Sequence, residues 1–526
     1  MLKVSLHYVK GLRNFLREPL SKEKAYYQIA HQLEQRQQNF LFMVKRGIYE
    51  QPQSPYRRLL HNAGITYEDI ASRTQQIGVE PLLGELFDAG VYVTLNEFKS
   101  RQPIQRTGFE CVTKPSDFDS PIIKQGYEVQ TGGTRSRGHR ILIDFDALTC
   151  EAAHNHRFLE CFQLHDRPHA SWRIPPPGVA GISMMFRCIK NGIRVEKWFT
   201  PYPLFQWPET ITRYLKHYAL LNYTVYTSRI TGNPIPTPEY IPYSQAHLIA
   251  RWLEKQVQHG QPAVLNTTPS AAVRVCRAAL QNGIDIHGTF FQLGGEPLTE
   301  GKFNHICQAG CRAVSYYSMA EVGRISTPCP GASCPDDTHL LINKLAVLQR
   351  STTMEINSPV DGFYYTTLLL SYPKLMLNVE SGDYGNLEKR TCGCLWEKAG
   401  FPMHMSNIRS YEKLTTEGMH FLGSDIYFLT ENTLPQKYGG CSTNYQLLER
   451  EKDGLNRLYI VISPQIGELK EVDIVNTVVK ELRRRPGAMA MMARLLESGD
   501  TIRVLRREPY TTRAGKTFPL HIEKKD

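Results

Sequence analysis

Apolar positions first recur at near-helical spacing between residues 22 and 47, where Ala25, Ile29, Leu33, Phe40 and Val44 predict one leading helix stopped at Gly47. From about 85 to 300, the short apolar runs VYVTL, ILIDF and AVLNTT alternate with helical stretches such as SQAHLIARWLEKQVQ and SAAVRVCRAALQNG, which predicts an α/β sheet. Between 336 and 380, DTHLLINKLAVLQ, GFYYTTLLLSY and KLMLNVE follow one another without a helix, so a strand-rich subdomain is expected to close a large domain. After Arg409 the pattern becomes a compact mixture: strands in GMHFLGSDI, IYFLT and RLYIVISP, the helix EVDIVNTVVKELRRR, then the strand TIRVLRRE. The expected fold class is α/β. A large N-terminal domain at 1–408 would hold the α/β sheets and the strand-rich subdomain, and a small mobile α+β domain at 409–526 would join it near 405–412.

Composition narrows this little. The 526 residues allow about three domains, or two if one is large. The shares of hydrophobic (41%) and charged (21%) residues exclude global disorder, collagen and a small disulfide scaffold. A net charge of +11 attracts anions such as nucleotides, coenzyme A, nucleic acid or acidic carrier proteins, and its sign does not choose among them. The opening MLKVSLHYVKGLRNFLREPL lacks the apolar core of a secretory signal, and no membrane span is expected because no apolar stretch approaches 18 residues. Twelve cysteines dispersed in so long a chain read as reduced thiols with a metal site, so a cytoplasmic address is expected.

The first chemical motif is Thr131-Gly132-Gly133-Thr134-Arg135-Ser136-Arg137-Gly138, directly after the strand-like GYEVQ. Glycines let backbone amides approach an anion, the hydroxyls donate further hydrogen bonds, and two arginines add charge, so the segment suits phosphate. It lacks the GK[ST] ending of a Walker loop. Gly294-Gly295-Glu296-Pro297, Tyr317-Ser318-Met319-Ala320-Glu321 and Ser381-Gly382-Asp383-Tyr384-Gly385 follow, then Arg409-Ser410 and Gly515-Lys516. Each alone reads as a polar turn or a solvated charge. In this order they resemble the adenylate-forming superfamily of acyl-coenzyme A synthetases, adenylation domains and luciferases, particularly the phenylacetate-coenzyme A ligase branch. The resemblance spans nearly the whole chain, including Gln53 to Leu60 and Ala63-Gly64-Ile65.

That resemblance implies an ATP-dependent ligase that activates an aryl or fatty carboxylic acid as acyl-AMP and transfers it to coenzyme A. A carrier-protein thiol, as in LuxE-like acyl-protein synthetases, or an amine are the alternative acceptors. Thr131, Gly132, Gly133 and Thr134 would hold the ATP phosphates. Gly295, Glu296, Tyr317 and Ser318 would line the adenine and ribose end, and Asp383 would accept from the ribose hydroxyls, at a strand end after LMLNVE. Glu321 would bind Mg²⁺, Arg409 would contact the nucleotide at the interdomain joint, and Lys516 would stabilise charge as pyrophosphate leaves. Ala320 stands where the family usually has Thr or Ser, and Arg135 to Gly138 replace its usual Thr-Gly and lysine. These departures leave the substrate class open.

Thiolates and an imidazole make a second constellation: Cys329 or Cys334, with His339, Cys392 and Cys394, four of these five suiting structural Zn²⁺. Some members of the branch look similar here. Cys307 and Cys311 read as core thiols, His154, His156, His165 and His169 as core or helix-surface histidines, and most of the aromatic stretch Trp198 to Tyr226 as core. The competing class, a basic zinc-stabilised nucleic-acid-binding protein, is disfavoured by dispersed charge and the lack of any RNA-binding or zinc-finger pattern. The expected partners are therefore a small carboxylic acid and coenzyme A or an acyl carrier protein, with no nucleic acid and with homodimerisation left open.

Overall fold

The computed structural model describes residues 2–123, 126–130, 140–176, 178, 180–203, 211–353, 359–410, 413–416, 419–422, 428–440, 444–452, 455–484, 496, 501–510 and 520–522. The α/β class holds: a six-stranded parallel sheet, a seven-stranded antiparallel sheet and a four-stranded mixed sheet pack with helices.

The parallel sheet has the order Arg312–Ser315, Phe290–Leu293, Val264–Thr267, His169–Trp172, Val195–Thr200, Glu239–Tyr240. The chain winds from His169–Trp172 to one edge, then from Val264–Thr267 to the other. These two strands therefore mark a topological switch point, the place in open α/β sheets outside whose carboxyl strand ends ligands commonly bind. Val264–Thr267 and Phe290–Leu293 are buried throughout, as expected for strands covered by helices on both faces. Two covering helices, Ala246–Gln258 and Pro269–Gln281, match the amphipathic spacing read from sequence. Thr268 caps the second, its hydroxyl accepting from Ala271 N–H at 3.3 Å.

The antiparallel sheet runs Tyr317–Met319, Gly323–Pro328, Thr338–Leu340, Met403–Ser410, Val379–Lys389, Pro359–Thr367, Leu345–Thr353. It packs its apolar face on the N-terminal helices through Phe40, Ile48, Tyr56, Leu83, Phe363 and Val379. The tail sheet has the order Ile502–Arg506, Leu455–Ile462, Tyr445–Lys452, Leu520–Ile522, and helix Glu471–Arg484 makes the crossover between its first two, parallel, strands. Tail residues Leu447, Ile460, Val478 and Leu482 share one buried cluster with Leu265 and Val275 of the parallel-sheet layer.

Several local expectations are corrected. The stretch 22–47 is two helices, Lys22–Glu34 and Arg36–Met43, continued by a π-helix at Val44–Tyr49. Gly47 lies inside that π-helix because Leu375 and Leu370 occupy the space its side chain would need. VYVTL makes only an isolated bridge from Val93 to Val379, since Thr94 and Glu97 form a capping box that starts helix Leu95–Phe98. ILIDF pairs with Gly126–Gln130 in a two-stranded sheet outside the parallel one. Where IYFLT predicted a strand, Phe428–Thr433 is a π-helix that buries Leu429 and Thr430.

Candidate active site

At the switch point, Arg173 follows strand His169–Trp172 and is 6% exposed. Its guanidinium donates to Asn266 Oδ1 at 3.1 Å, to the Gly294 carbonyl at 2.9 Å and to the Thr267 carbonyl. It thereby ties the Gly294-Gly295 turn to the carboxyl ends of both central strands. Gly294 has no room for a side chain, because a Cβ there would meet the Tyr316 ring at 2.6 Å. Gly295 holds φ +92° and is exposed, so backbone is what the turn offers to a ligand.

Glu296 points the other way. One oxygen accepts from Ser270 N–H at 2.8 Å, and the other from Ser270 Oγ at 2.8 Å and Lys302 Nζ at 3.0 Å. Burial alone would raise its pKa, but the Lys302 ammonium and Ser270 outweigh that and hold it below the ordinary glutamate value.

Tyr317 and Asp383 meet although they are 66 residues apart: the phenol donates to Asp383 Oδ2 at 2.6 Å. Burial, then the Asp383 carboxylate, pushes the Tyr317 pKa well up, so the phenol keeps its proton and orients the carboxylate. Tyr365 packs beside them as a second buried phenol. Asp383 does not stand at a strand end: it lies within the continuous strand Val379–Lys389, opposite Ser410. Its backbone N–H donates to Ser381 Oγ at 3.0 Å.

Glu321 is buried and ion-paired with Lys99 Nζ at 2.6 Å. Arg409 pairs with Tyr384 in the neighbouring strand, one position from the Asp383–Ser410 pair, which places it on the opposite face of the ladder. Its guanidinium binds Asp336 Oδ2 at 2.9 Å. Asp383 and Arg409 are thus adjacent in the sheet, but their side chains are not brought together. Ser318 is exposed in strand Tyr317–Met319. Thr131, Gly132, Gly133, Thr134 and Lys516 lie outside the described residues.

The thiol constellation resolves to one set. The ligand atoms of Cys329, His339, Cys392 and Cys394 all lie within 4.8 Å of one another. Cys392 Sγ is 4.0 Å from Cys329 Sγ and 3.4 Å from His339 Nε2, while Cys394 Sγ is 3.1 Å from that nitrogen. Tetrahedral zinc with bonds of about 2.3 Å to sulfur and 2.0 Å to nitrogen spaces its ligands at about these separations. His339 Nδ1–H donates to the Phe401 carbonyl at 2.7 Å, which leaves Nε2 as a lone-pair donor toward the sulfurs. The donor set therefore fits a closed zinc site. Cys334 stands apart, with its sulfur 3.5 Å from Asp336 Oδ1.

Among the other sequence candidates, His154 is fully buried and hydrogen-bonded to Asn343, and His169 to the Leu164 carbonyl at 2.9 Å. Cys311 is buried as expected, whereas Cys307 is exposed and is not a core thiol. Sequence reasoning missed Arg173, Lys99 and Tyr365. An arginine immediately after a buried strand was a usable sign for the first, and the other two carried none.

No protein-family model and no curated protein sequence matches the chain. Among solved structures, it superposes on 2-hydroxyisobutyryl-CoA ligase in complex with 2-HIB-AMP and CoA in the thioesterification state, with TM-score 0.55 and 13% identity over 96% of this chain and 91% of that one. The same ligase in its postadenylation state with R3-HIB-AMP gives TM-score 0.48 and 12% identity over 97% and 91%. The first of these likenesses establishes the class of fold: this chain has the fold of an adenylate-forming enzyme. No helix among the described residues is long and apolar enough to cross a membrane.

Proposed function

We propose that this protein is an ATP-dependent ligase that joins a carboxylic acid to AMP, releases pyrophosphate, and passes the acyl group to a thiol, with coenzyme A as the first choice. A carrier-protein thiol is the alternative acceptor. The observation that carries this reading is the nearly end-to-end fold correspondence with an acid–CoA ligase, over 96% of this chain. In the first half-reaction a carboxylate oxygen of the acid bonds to the α-phosphorus as the bond to pyrophosphate breaks. In the second, the thiolate sulfur bonds to the acyl carbon and AMP leaves.

Asp383, oriented by Tyr317, receives the ribose hydroxyls, and the exposed backbone at Gly295 with Ser318 lines the nucleotide. The Glu296 carboxylate, saturated by Lys302 and Ser270, acts by holding that turn. Thr131 to Thr134 are assigned to the phosphates and Lys516 to the charge that develops in adenylation. Glu321, steadied by Lys99, would hold Mg²⁺, which when bound neutralises phosphate charge. Cys329, His339, Cys392 and Cys394 would hold zinc, which when bound is structural. The division into 1–408 and 409–526, rotation near Arg409, membership of the phenylacetate-coenzyme A ligase branch and a cytoplasmic address belong to the same proposal.

The test is a carboxylic-acid library assayed for acid-dependent pyrophosphate release with ATP and Mg²⁺, followed by addition of coenzyme A and mass detection of a thioester. One acid class is expected to give both products. Failure of every acid to yield AMP, with the fold intact, would remove the reading.

A further inference from the structure

Arg324 is 2% exposed, yet none of its three guanidinium nitrogens has a hydrogen-bond partner among the described residues. A buried charge left this way is costly, and proteins seldom keep one without a use. Glu151 and the neighbouring rings attract the guanidinium, but none of them hydrogen-bonds to it. Glu151 accepts from Lys344 Nζ at 2.6 Å and from the backbone N–H of Arg324 itself at 3.2 Å. Arg187 on helix Ala180–Lys190 is a second cation within electrostatic reach, and the Phe158 and Tyr316 rings stand 5.9 and 4.7 Å from the guanidinium. His154, beside Lys344 and Glu151, is held neutral by burial, with its pKa lowered to about 3. Tyr316 reports the local field: burial would raise its pKa, but Arg173, Arg187 and Arg324 together pull it down.

This cluster of positive charge adjoins the candidate site. Arg324 pairs with Ser318 across the turn that carries Glu321, and Tyr316 links it through Arg173 to the Gly294 carbonyl. Arg324 is therefore the buried cation across the ladder from Ser318, which the proposed function sets against the nucleotide.

We propose that Arg324, assisted by Arg187, binds a second carboxylate on the acid substrate, so that the substrate class is dicarboxylic acids. This rests on the ligase reading above. The planar guanidinium matches a carboxylate bidentately, and a neutral group in the same place would leave the buried charge unanswered.

The test pairs the straight-chain diacids succinate through suberate, and phthalate, with their monomethyl esters in the pyrophosphate-release assay. The diacids should exceed their half-esters by roughly 100-fold or more in kcat/KM, as expected where a site is built around a polar group that the analogue lacks. Arg324→Met should erase or reverse that ranking, and Arg187→Met, at a less buried position, should reduce it. Arg324→Met should also raise Tm, since it removes a buried charge that no hydrogen bond satisfies. A wild-type preference for half-esters, an unchanged ranking in Arg324→Met, or a lower Tm in that variant would overturn the proposal. If no acid at all supports pyrophosphate release, the ligase reading fails separately. Calorimetric titration of the same diacids then decides the anion site alone: binding lost in Arg324→Met supports it, and no binding to the wild type refutes it.

Discussion

Lys302→Met tests whether the Gly-Gly-Glu-Pro turn is held by a buried ion pair. Both side chains are 0% exposed, with Nζ 3.0 Å from Glu296 Oε2. Removing the ammonium leaves the carboxylate with only the two Ser270 donors, each at 2.8 Å, and no counter-charge. Breaking a buried pair from one side costs about 3–5 kcal/mol. Lys302→Met with Glu296→Gln should recover most of this, because a neutral amide in that place loses about 1 kcal/mol of hydrogen bonding.

The sign with pH is specific. In the wild type the depressed Glu296 pKa contributes stability that is present above the ordinary value of 4.5 and lost as pH falls through the folded value. Without Lys302, burial is opposed only by the Ser270 bonds and the Glu296 pKa rises, so the variant is penalised at neutral pH and the penalty shrinks as pH falls. Urea unfolding at several pH values reads this directly, and hydrogen exchange at the first turn of helix Pro269–Gln281 localises it. A deficit below about 1 kcal/mol, or one that does not change with pH, would refute the argument.

Purified protein should carry one zinc per chain. Cys392→Ser with Cys394→Ser should release it and lower Tm, while Cys334→Ser leaves metal content unchanged; elemental analysis decides, and zinc retained by the double variant would exclude the site. Asp383→Ala should weaken ATP and acyl-adenylate binding alike, whereas Tyr317→Phe, which removes one charge-assisted hydrogen bond of 2.6 Å, should weaken both by about 10- to 100-fold; titration calorimetry should find the smaller loss in Tyr317→Phe. Lys516→Ala should abolish pyrophosphate release and spare thioester formation from supplied acyl-adenylate, and equal loss of both half-reactions would argue against alternation between domains.

Helices Ala246–Gln258, Pro269–Gln281 and Glu471–Arg484 were legible because amphipathic spacing is a local property of the chain. The fold class was legible for the same reason, whereas the candidacy of Tyr317 and Asp383 came from the family resemblance and that of the Cys/His set from the ligand chemistry of its residue types. What depended on distant partners was not. VYVTL and IYFLT carry strand-like composition, yet a capping box redirects the first and burial within a π-helix the second. Spacing could not choose between Cys329 and Cys334; the hairpin that brings Cys329 to His339, and the loop that brings Cys392 and Cys394, made the choice.

Glu296 read as a ligand-facing carboxylate until Ser270 and Lys302 closed over it. Arg324 shows the division most sharply. In sequence it is one of many arginines in a chain of net charge +11, and nothing local distinguishes it. Only the packing of helix Ala180–Lys190 and strand Gly323–Pro328 around it makes it a buried cation with no hydrogen-bond partner among the described residues. Sequence determines which residues can form an element or ligate an ion, because those depend on neighbours along the chain. Tertiary structure decides which of them lose water and which find a counter-charge, because desolvation and pairing are set by residues hundreds of positions away.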